Sequence, residues 1–330
     1  MTATVVAASL ALTGCSGSSD DDPTDVTAVP ASEQADGQFP VSIPTKFGDV
    51  TIDEQPERVV TLGWGDTDTA LALGVQPVGN LDWLEVGGTG VGDWASDSYT
   101  DDHEVMPRGD LDYEAIAAMK PDLITYVKTD GDEEAYKRLS DIAPTVGIPE
   151  GGEGSRTPMN QQVEMIAAAL GKPEEGRKLV DQVEDRYSEL REKHPEWQGK
   201  TLSSVYHEGS NYAAYLPGDA RADIPAALGF EMDPRVTDIS AGVNKFTVNI
   251  STEQLNRVDS DVVIGIPVRS TKEELENDRA WKNLSAVKEN RAFVLDTVQT
   301  DAFSMGSVSS ILFVLDALEP SLAAATDSRK

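Results

Sequence analysis

Cysteine is all but missing from this chain of 330 residues, and the single Cys15 excludes any intramolecular disulfide. Histidine is nearly as scarce. His103, His194 and His207 are too few and too scattered to converge on a transition metal, so no metal site is expected. The same scarcity leaves few side chains that titrate near neutrality. No Gly-x-Ser-x-Gly elbow, His-Glu-x-x-His pair or Gly-x-x-x-x-Gly-Lys-Ser/Thr loop occurs, and a catalytic carboxylate pair cannot be picked by spacing from 58 acidic residues. We therefore expect no catalysis and no resident cofactor. Basic residues are also short: 27 Lys and Arg give a formal net charge of −31, which repels phosphate backbones and anionic lipid surfaces. Nucleic acid is thus excluded as a partner. A salty or acidic medium would explain the acidity equally well, so charge alone names no ligand.

What is present begins at the N-terminus. Residues 5–12 form an apolar run too short to span a ~30 Å hydrocarbon core, and Leu12-Thr13-Gly14-Cys15 follows at once. That pattern resembles a bacterial lipobox, in which residues 1–15 are a signal peptide and Cys15 becomes the lipidated first residue. No Lys or Arg precedes the apolar run, so a start further upstream is expected. Residues 16–45, opening Ser-Gly-Ser-Ser-Asp-Asp-Asp-Pro, are too polar to bury anything and read as a disordered acidic tether.

Beyond the tether the pattern is α/β. Gly48-Asp49-Val50-Thr51-Ile52 reads as a strand, Val59-Val60-Thr61-Leu62 as a buried strand, Gly63-Trp64-Gly65 as a turn, and residues 66–73 as a helix closed by Gly74. Residues 113–119 are helical and residues 123–127 a buried strand after Pro121-Asp122. In the middle, Met159, Val163, Ile166 and Leu170 lie at helical spacing, and Leu179, Val183, Tyr187 and Leu190 repeat it after Gly171-Lys172-Pro173. A helix over 173–194 is roughly 33 Å long, enough to span two lobes. Strands over 202–206, 262–266 and 292–295 follow. The fold class is therefore α/β: two lobes, each with a mainly parallel sheet flanked by helices, joined by one long α-helix with a ligand cleft between them. The divisions are a lobe over 46–158, linking helices over 159–196, and a second lobe over 197–330.

A weak internal repeat supports two related lobes. Glu114 precedes Asp122-Leu-Ile, and Glu253 precedes Asp261-Val-Val at the same spacing, each reading as a short amphipathic helix followed by an Asp-led buried strand. The binding groups sit in strand-end loops: Trp64, Trp83, Tyr126, Lys128, Tyr206 and His207, then Arg221, Phe246, Arg269 and Phe303. Flat rings suit a bulky organic chelate, and cations pair with its oxygens. The Gly-rich residues 87–92 lack phosphate-loop spacing and read as a flexible surface loop.

The ordered motifs from about residue 46 to the end resemble the iron-siderophore substrate-binding proteins of ABC importers, whose wider group also carries cobalamin and haem. They are Pro56-Glu57-Arg58-Val59-Val60, Leu73-Gly74-Val75-Gln76-Pro77-Val78-Gly79, residues 114–127, and Trp281-Lys282-Asn283-Leu284-Ser285-Ala286-Val287-Lys288 before Arg291-Ala292-Phe293-Val294. The resemblance implies a lipid-anchored monomer on the outer face of the cytoplasmic membrane that captures a ferric siderophore and meets a permease dimer. It also implies little closure on binding, ligand contacts at Trp64, Tyr206, His207 and Arg269, and docking of Glu114 and Glu253 on permease arginines. This chain departs from relatives in its acidity and in lacking an arginine cluster, which favours a neutral hydroxamate or mixed chelate over a trianionic catecholate. Cobalamin or haem is the nearest alternative ligand, and a secreted lipoprotein hydrolase the alternative of a different class.

Overall fold

The computed structural model describes residues 28–243 and 245–327; Cys15, the apolar run before it and residues 16–27 of the expected tether lie outside them. The acidic stretch becomes ordered earlier than the sequence suggests. Strands β1 (Val29–Pro30), β2 (Val41–Thr45) and β3 (Gly48–Ile52) form a three-stranded sheet. Val41 and Ile43 are fully buried in the core of the first lobe, so folded structure reaches upstream of the boundary expected at 46. Their alternation of buried and open positions is the period of a strand with one covered face.

The first lobe is built on β4 (Val59–Thr61), β5 (Gly79–Asp82), β6 (Glu104–Pro107), β7 (Leu123–Thr125) and β8 (Thr145–Val146). They form a five-stranded sheet in the order β6-β5-β4-β7-β8, parallel throughout. Helices α1 (Asp66–Ala72), α2 (Tyr113–Ala118) and α3 (Glu133–Ser140) connect the strands. Asp112 and Asp132 cap α2 and α3, each accepting a backbone N–H three residues on. Part of the acidity is thus helix-capping chemistry.

Two helices carry the chain across. α4 (Met159–Ala169) packs in the first lobe, and α5 (Pro173–Lys193) runs 21 residues from Pro at its first position, with Glu174 and Glu175 in its first turn and Arg191 and Lys193 in its last. That charge arrangement opposes the helix dipole. Leu179 packs against the cores of both lobes, so the rod is seated in each rather than hung between them.

The second lobe starts with β9 (Thr201–Glu208) and β10 (Asn211–Tyr215), a hairpin whose turn holds Gly209 at φ +59°. α6 (Ala220–Ala227), β11 (Glu231–Met232), α7 (Pro234–Ser240) and β12 (Thr247–Ile250) follow. After a 3-10 helix over Thr252–Val258 come β13 (Val262–Pro267), α8 (Lys272–Asn277), α9 (Arg279–Asn283), α10 (Ser285–Lys288) and β14 (Ala292–Val294). The chain closes on α11 (Thr297–Met305) and α12 (Val308–Asp327). The sheet runs β12-β10-β9-β13-β14, with β11 beside β9. β9, β11, β13 and β14 are parallel; β10 runs antiparallel to β9 because a tight turn joins them, and β12 pairs antiparallel with β10 at the edge. α12 is apolar and long enough to cross a membrane, but Ile311, Val314, Leu315, Leu318 and Leu322 are buried against the second lobe, as in a core helix.

The internal repeat has a structural meaning. Asp122 stands one residue before β7 and accepts the backbone N–H of Arg58 (2.9 Å), one residue before β4. Asp261 stands one residue before β13 and accepts the N–H of Thr201 (3.0 Å), one residue before Leu202 of β9. In both lobes the aspartate staples the start of a parallel strand pair at the same register. The preceding elements differ: Glu114 opens an α-helix, whereas Glu253 opens a 3-10 helix, where an α-helix was expected.

Candidate ligand-binding cleft

Parallel strands gather their C-terminal ends at one side of a sheet, and the following loops face outward there. In the first lobe those loops carry Trp64 after β4, Trp83 after β5 and Lys128 after β7. The two indoles meet edge to face with centroids 5.7 Å apart, and both are half-buried. Trp83 donates its Nε1–H to the Leu62 carbonyl, and Trp64 donates across the cleft to the Met305 carbonyl at the end of α11 (2.9 Å).

That indole bridge is one of several contacts closing the cleft floor. Asp68 on α1 is buried and accepts hydrogen bonds from Trp94 Nε1 and from Ser307 Oγ (2.9 Å), just before α12. Asp66 accepts from the Val127 backbone N–H (3.0 Å) and from Gln162 Nε2 (2.7 Å). Burial pushes both carboxyls above their ordinary range. Acidic residues in a first helical turn usually reward the helix dipole from solvent; here the strand-end position of α1 places them inside, which periodicity does not reveal. The Gly-rich run wraps this floor. Gly87 and Gly88 are open, but a Cβ on Gly92 would lie 2.2 Å from the Trp94 ring, so the end of the expected flexible loop is packed.

Across the cleft, Tyr206, Arg221 and Phe246 line a concavity of about 930 Å³ on the second lobe. Tyr215, which sequence reasoning passed over, holds this group together. Its ring sits edge to face with Tyr206 at 6.4 Å, and the Arg221 guanidinium lies 3.9 Å above it. Arg221 is also gripped by Asp219 through Nε (2.7 Å) and a second nitrogen (2.7 Å), and it donates to Ser304 Oγ (2.9 Å). Tyr206 donates its hydroxyl to Glu208, whose other oxygen is 3.6 Å from an Arg269 nitrogen. Burial and Glu208 together raise the Tyr206 phenol to about 12. Arg156, from the loop before α4, lies 5.0 Å over the Phe246 ring and was likewise missed. A cation inside Gly152-Glu153-Gly154-Ser155-Arg156 carries no periodic signal.

Lys128 faces this group from the first lobe. Desolvation holds its ammonium below the ordinary value, against the attraction of Asp219, Asp66 and Asp223. On α11, burial and the opposing Asp93 push the Asp301 carboxyl up to about 6.

Three expected contacts are elsewhere. Phe303 is fully buried in the core of the second lobe, and Tyr126 is 6% exposed in the core of the first, its phenol pushed to about 12 by burial. His207 is 2% exposed and points away from the concavity, because successive residues of a strand face opposite ways and Tyr206 already faces it. It lies 5.0 Å from the Tyr212 ring and bonds Ser270 Oγ (3.2 Å), with burial pushing the imidazole below its ordinary value. These three are packing residues. Glu114 and Glu253 are exposed, and Glu253 stands on the rim of the concavity. Among the described residues no group of three or more His, Cys, Asp or Glu is arranged to hold a metal ion.

Residues 59–298 match the family model described as Periplasmic binding protein. The chain belongs to this family. Solved relatives share the fold of this periplasmic binding protein: a periplasmic solute binding protein of Mycobacterium smegmatis is 28% identical with a TM-score of 0.76, covering 86% of this chain and 98% of that one. PiaA of Streptococcus pneumoniae, solved in complex with ferrichrome, is 27% identical with a TM-score of 0.71, covering 87% and 99%. The probable siderophore-binding lipoprotein YfiY of Bacillus subtilis is 29% identical over 281 residues, which are 81% of this chain and 83% of that protein. The periplasmic binding protein described here therefore has the two-lobed architecture, linking helix and inter-lobe cleft that its sequence implies.

Proposed function

We propose that this protein captures a ferric siderophore outside the cytoplasmic membrane and delivers it to an ABC importer. One observation carries the reading: in a chain of this family, a concavity of about 930 Å³ opens on the second lobe, lined by the rings of Tyr206, Tyr212, Tyr215 and Phe246, by uncharged hydrogen-bonding groups, and by Arg221 with the carboxylates of Glu208, Asp219 and Glu253. Its size and mixture of apolar and polar walls suit a single bulky organic chelate. The names of the similar proteins, which include siderophore-binding lipoproteins, support the same ligand class. Release to a permease rests on exposed Glu114 and Glu253, one on each lobe, and anchoring rests on Cys15 behind its lipobox. Glu253 on the rim would set the permease beside the ligand. Calorimetric titration with ferric chelates, their iron-free forms, cobalamin and haem tests the ligand. Saturable binding of one ferric chelate class supports the proposal, and binding of cobalamin or haem alone replaces it. Turnover of a chromogenic ester or glycoside panel, lost on replacing one acid, would instead identify a hydrolase.

A further inference from the structure

The lining of the concavity holds one guanidinium, that of Arg221, against the carboxylates of Glu208, Asp219 and Glu253. Arg221 and Arg269 each already face a carboxylate. Arg221 is committed to Asp219 and Ser304. Arg269 sits at φ +48°, an unusual conformation for a side chain of its size, in a loop pinned to β9 by Val268 N–H (2.8 Å) and Ser270 Oγ (3.1 Å), both donating to the His207 carbonyl. Its nearest carboxylate is Glu208. We propose, building on the siderophore reading above, that Glu208 sets ligand selectivity: by engaging the Tyr206 hydroxyl and the Arg269 guanidinium it sets a carboxylate against that cation at the edge of the concavity, so neutral or cationic ferric chelates are favoured there over anionic ones. An anionic chelate has to displace Glu208 from both donors while bringing like charge against it, and like-charge juxtaposition is an effective means of excluding a wrong partner. A neutral chelate carries no such charge, and its apolar surface meets the rings of Tyr206, Tyr215 and Phe246.

The test compares the full chain with its Glu208→Gln and Arg269→Gln variants. A neutral or cationic ferric tris-hydroxamate and a trianionic ferric tris-catecholate are titrated into each, and the ratio of the two Kd values is read. The wild type is expected to prefer the hydroxamate; Glu208→Gln shrinks that preference by about tenfold or more, and Arg269→Gln enlarges it. Wild-type preference for the catecholate, or an unchanged ratio in Glu208→Gln with native circular dichroism, overturns the proposal while leaving the siderophore reading intact. Should Glu208→Gln fail to fold, an unchanged ratio in Arg269→Gln overturns it by itself. Absence of saturable binding of either chelate to the wild type overturns the siderophore reading, and this proposal with it.

Discussion

Replacing Arg221 separates what the site needs in order to stand from what it needs in order to bind. The guanidinium makes three side-chain hydrogen bonds of 2.7–2.9 Å to Asp219 and Ser304, and it covers the Tyr215 ring at 3.9 Å. The side chains of Arg221 and Asp219 are 17% and 9% exposed. Breaking a buried pair by removing one partner costs roughly 3–5 kcal/mol, because a desolvated charge is left behind. The residual exposure here brings the expected cost of Arg221→Leu to about 2–4 kcal/mol. At about 2–4 °C per kcal/mol for domains of this size, Tm falls by roughly 4–16 °C. Asp219 also caps α6 through the Arg221 backbone N–H (3.0 Å), a role that asparagine can keep. The double variant Arg221→Leu with Asp219→Asn carries no stranded charge and retains the cap, so it should recover at least half of the lost stability. Urea denaturation followed by far-UV circular dichroism measures both. A loss under about 1 kcal/mol for the single variant, or a double variant no more stable than the single, would refute the reasoning.

Other expectations follow from the same structure. Glu114→Arg with Glu253→Arg should abolish chelate uptake by cells while leaving affinity in solution intact; normal uptake would sink the docking reading. Hydrogen bonding to Lys193 holds the Glu319 carboxyl down at about 2, so the folded state keeps it ionised where the unfolded chain takes up a proton. Its contribution is therefore complete above the ordinary glutamate value of 4.5 and is lost as pH falls toward 2. Glu319→Gln should accordingly destabilise at pH 7 and have little effect at pH 2, and an equal loss at both would contradict this sign. Gly92→Ala forces a Cβ to within 2.2 Å of the Trp94 ring, which holds Asp68 at the cleft floor. A loss of about 1–3 kcal/mol is expected, and thermal melting indistinguishable from wild type would show that the loop simply yields.

The fold was legible wherever a period was undiluted. Leu179, Val183, Tyr187 and Leu190 announced the linking helix, which ends one residue from its expected limit, and the apolar strands β4, β7 and β13 lie where their runs place them. The repeat was visible as a spacing, but its cause was not, since the staples from Asp122 and Asp261 depend on which strands become neighbours. The hairpin of β9 and β10 was missed although Gly209-Ser210 between two alternating runs marks one. The site was less legible than the fold because strand-end position alone does not say which way a side chain points. Adjacent Tyr206 and His207 could not both face the ligand, and Phe303 is an apolar position of α11 as buried as any in the core. Tyr215, Glu208 and Arg156 matter through contacts across strands and lobes, and no window of sequence displays those.

Trp64 and Trp83 pack edge to face at the floor of the cleft and supply an intrinsic reporter for the central claim. The decisive measurement is a tryptophan-fluorescence titration of the full chain, carrying Cys15→Ser to prevent lipidation, with ferric hydroxamate, catecholate and citrate chelates and their iron-free forms. The account predicts saturable one-site quenching by a ferric chelate and none by the same molecule without iron. Equal quenching by the iron-free form, or no saturable response to any chelate, would contradict it.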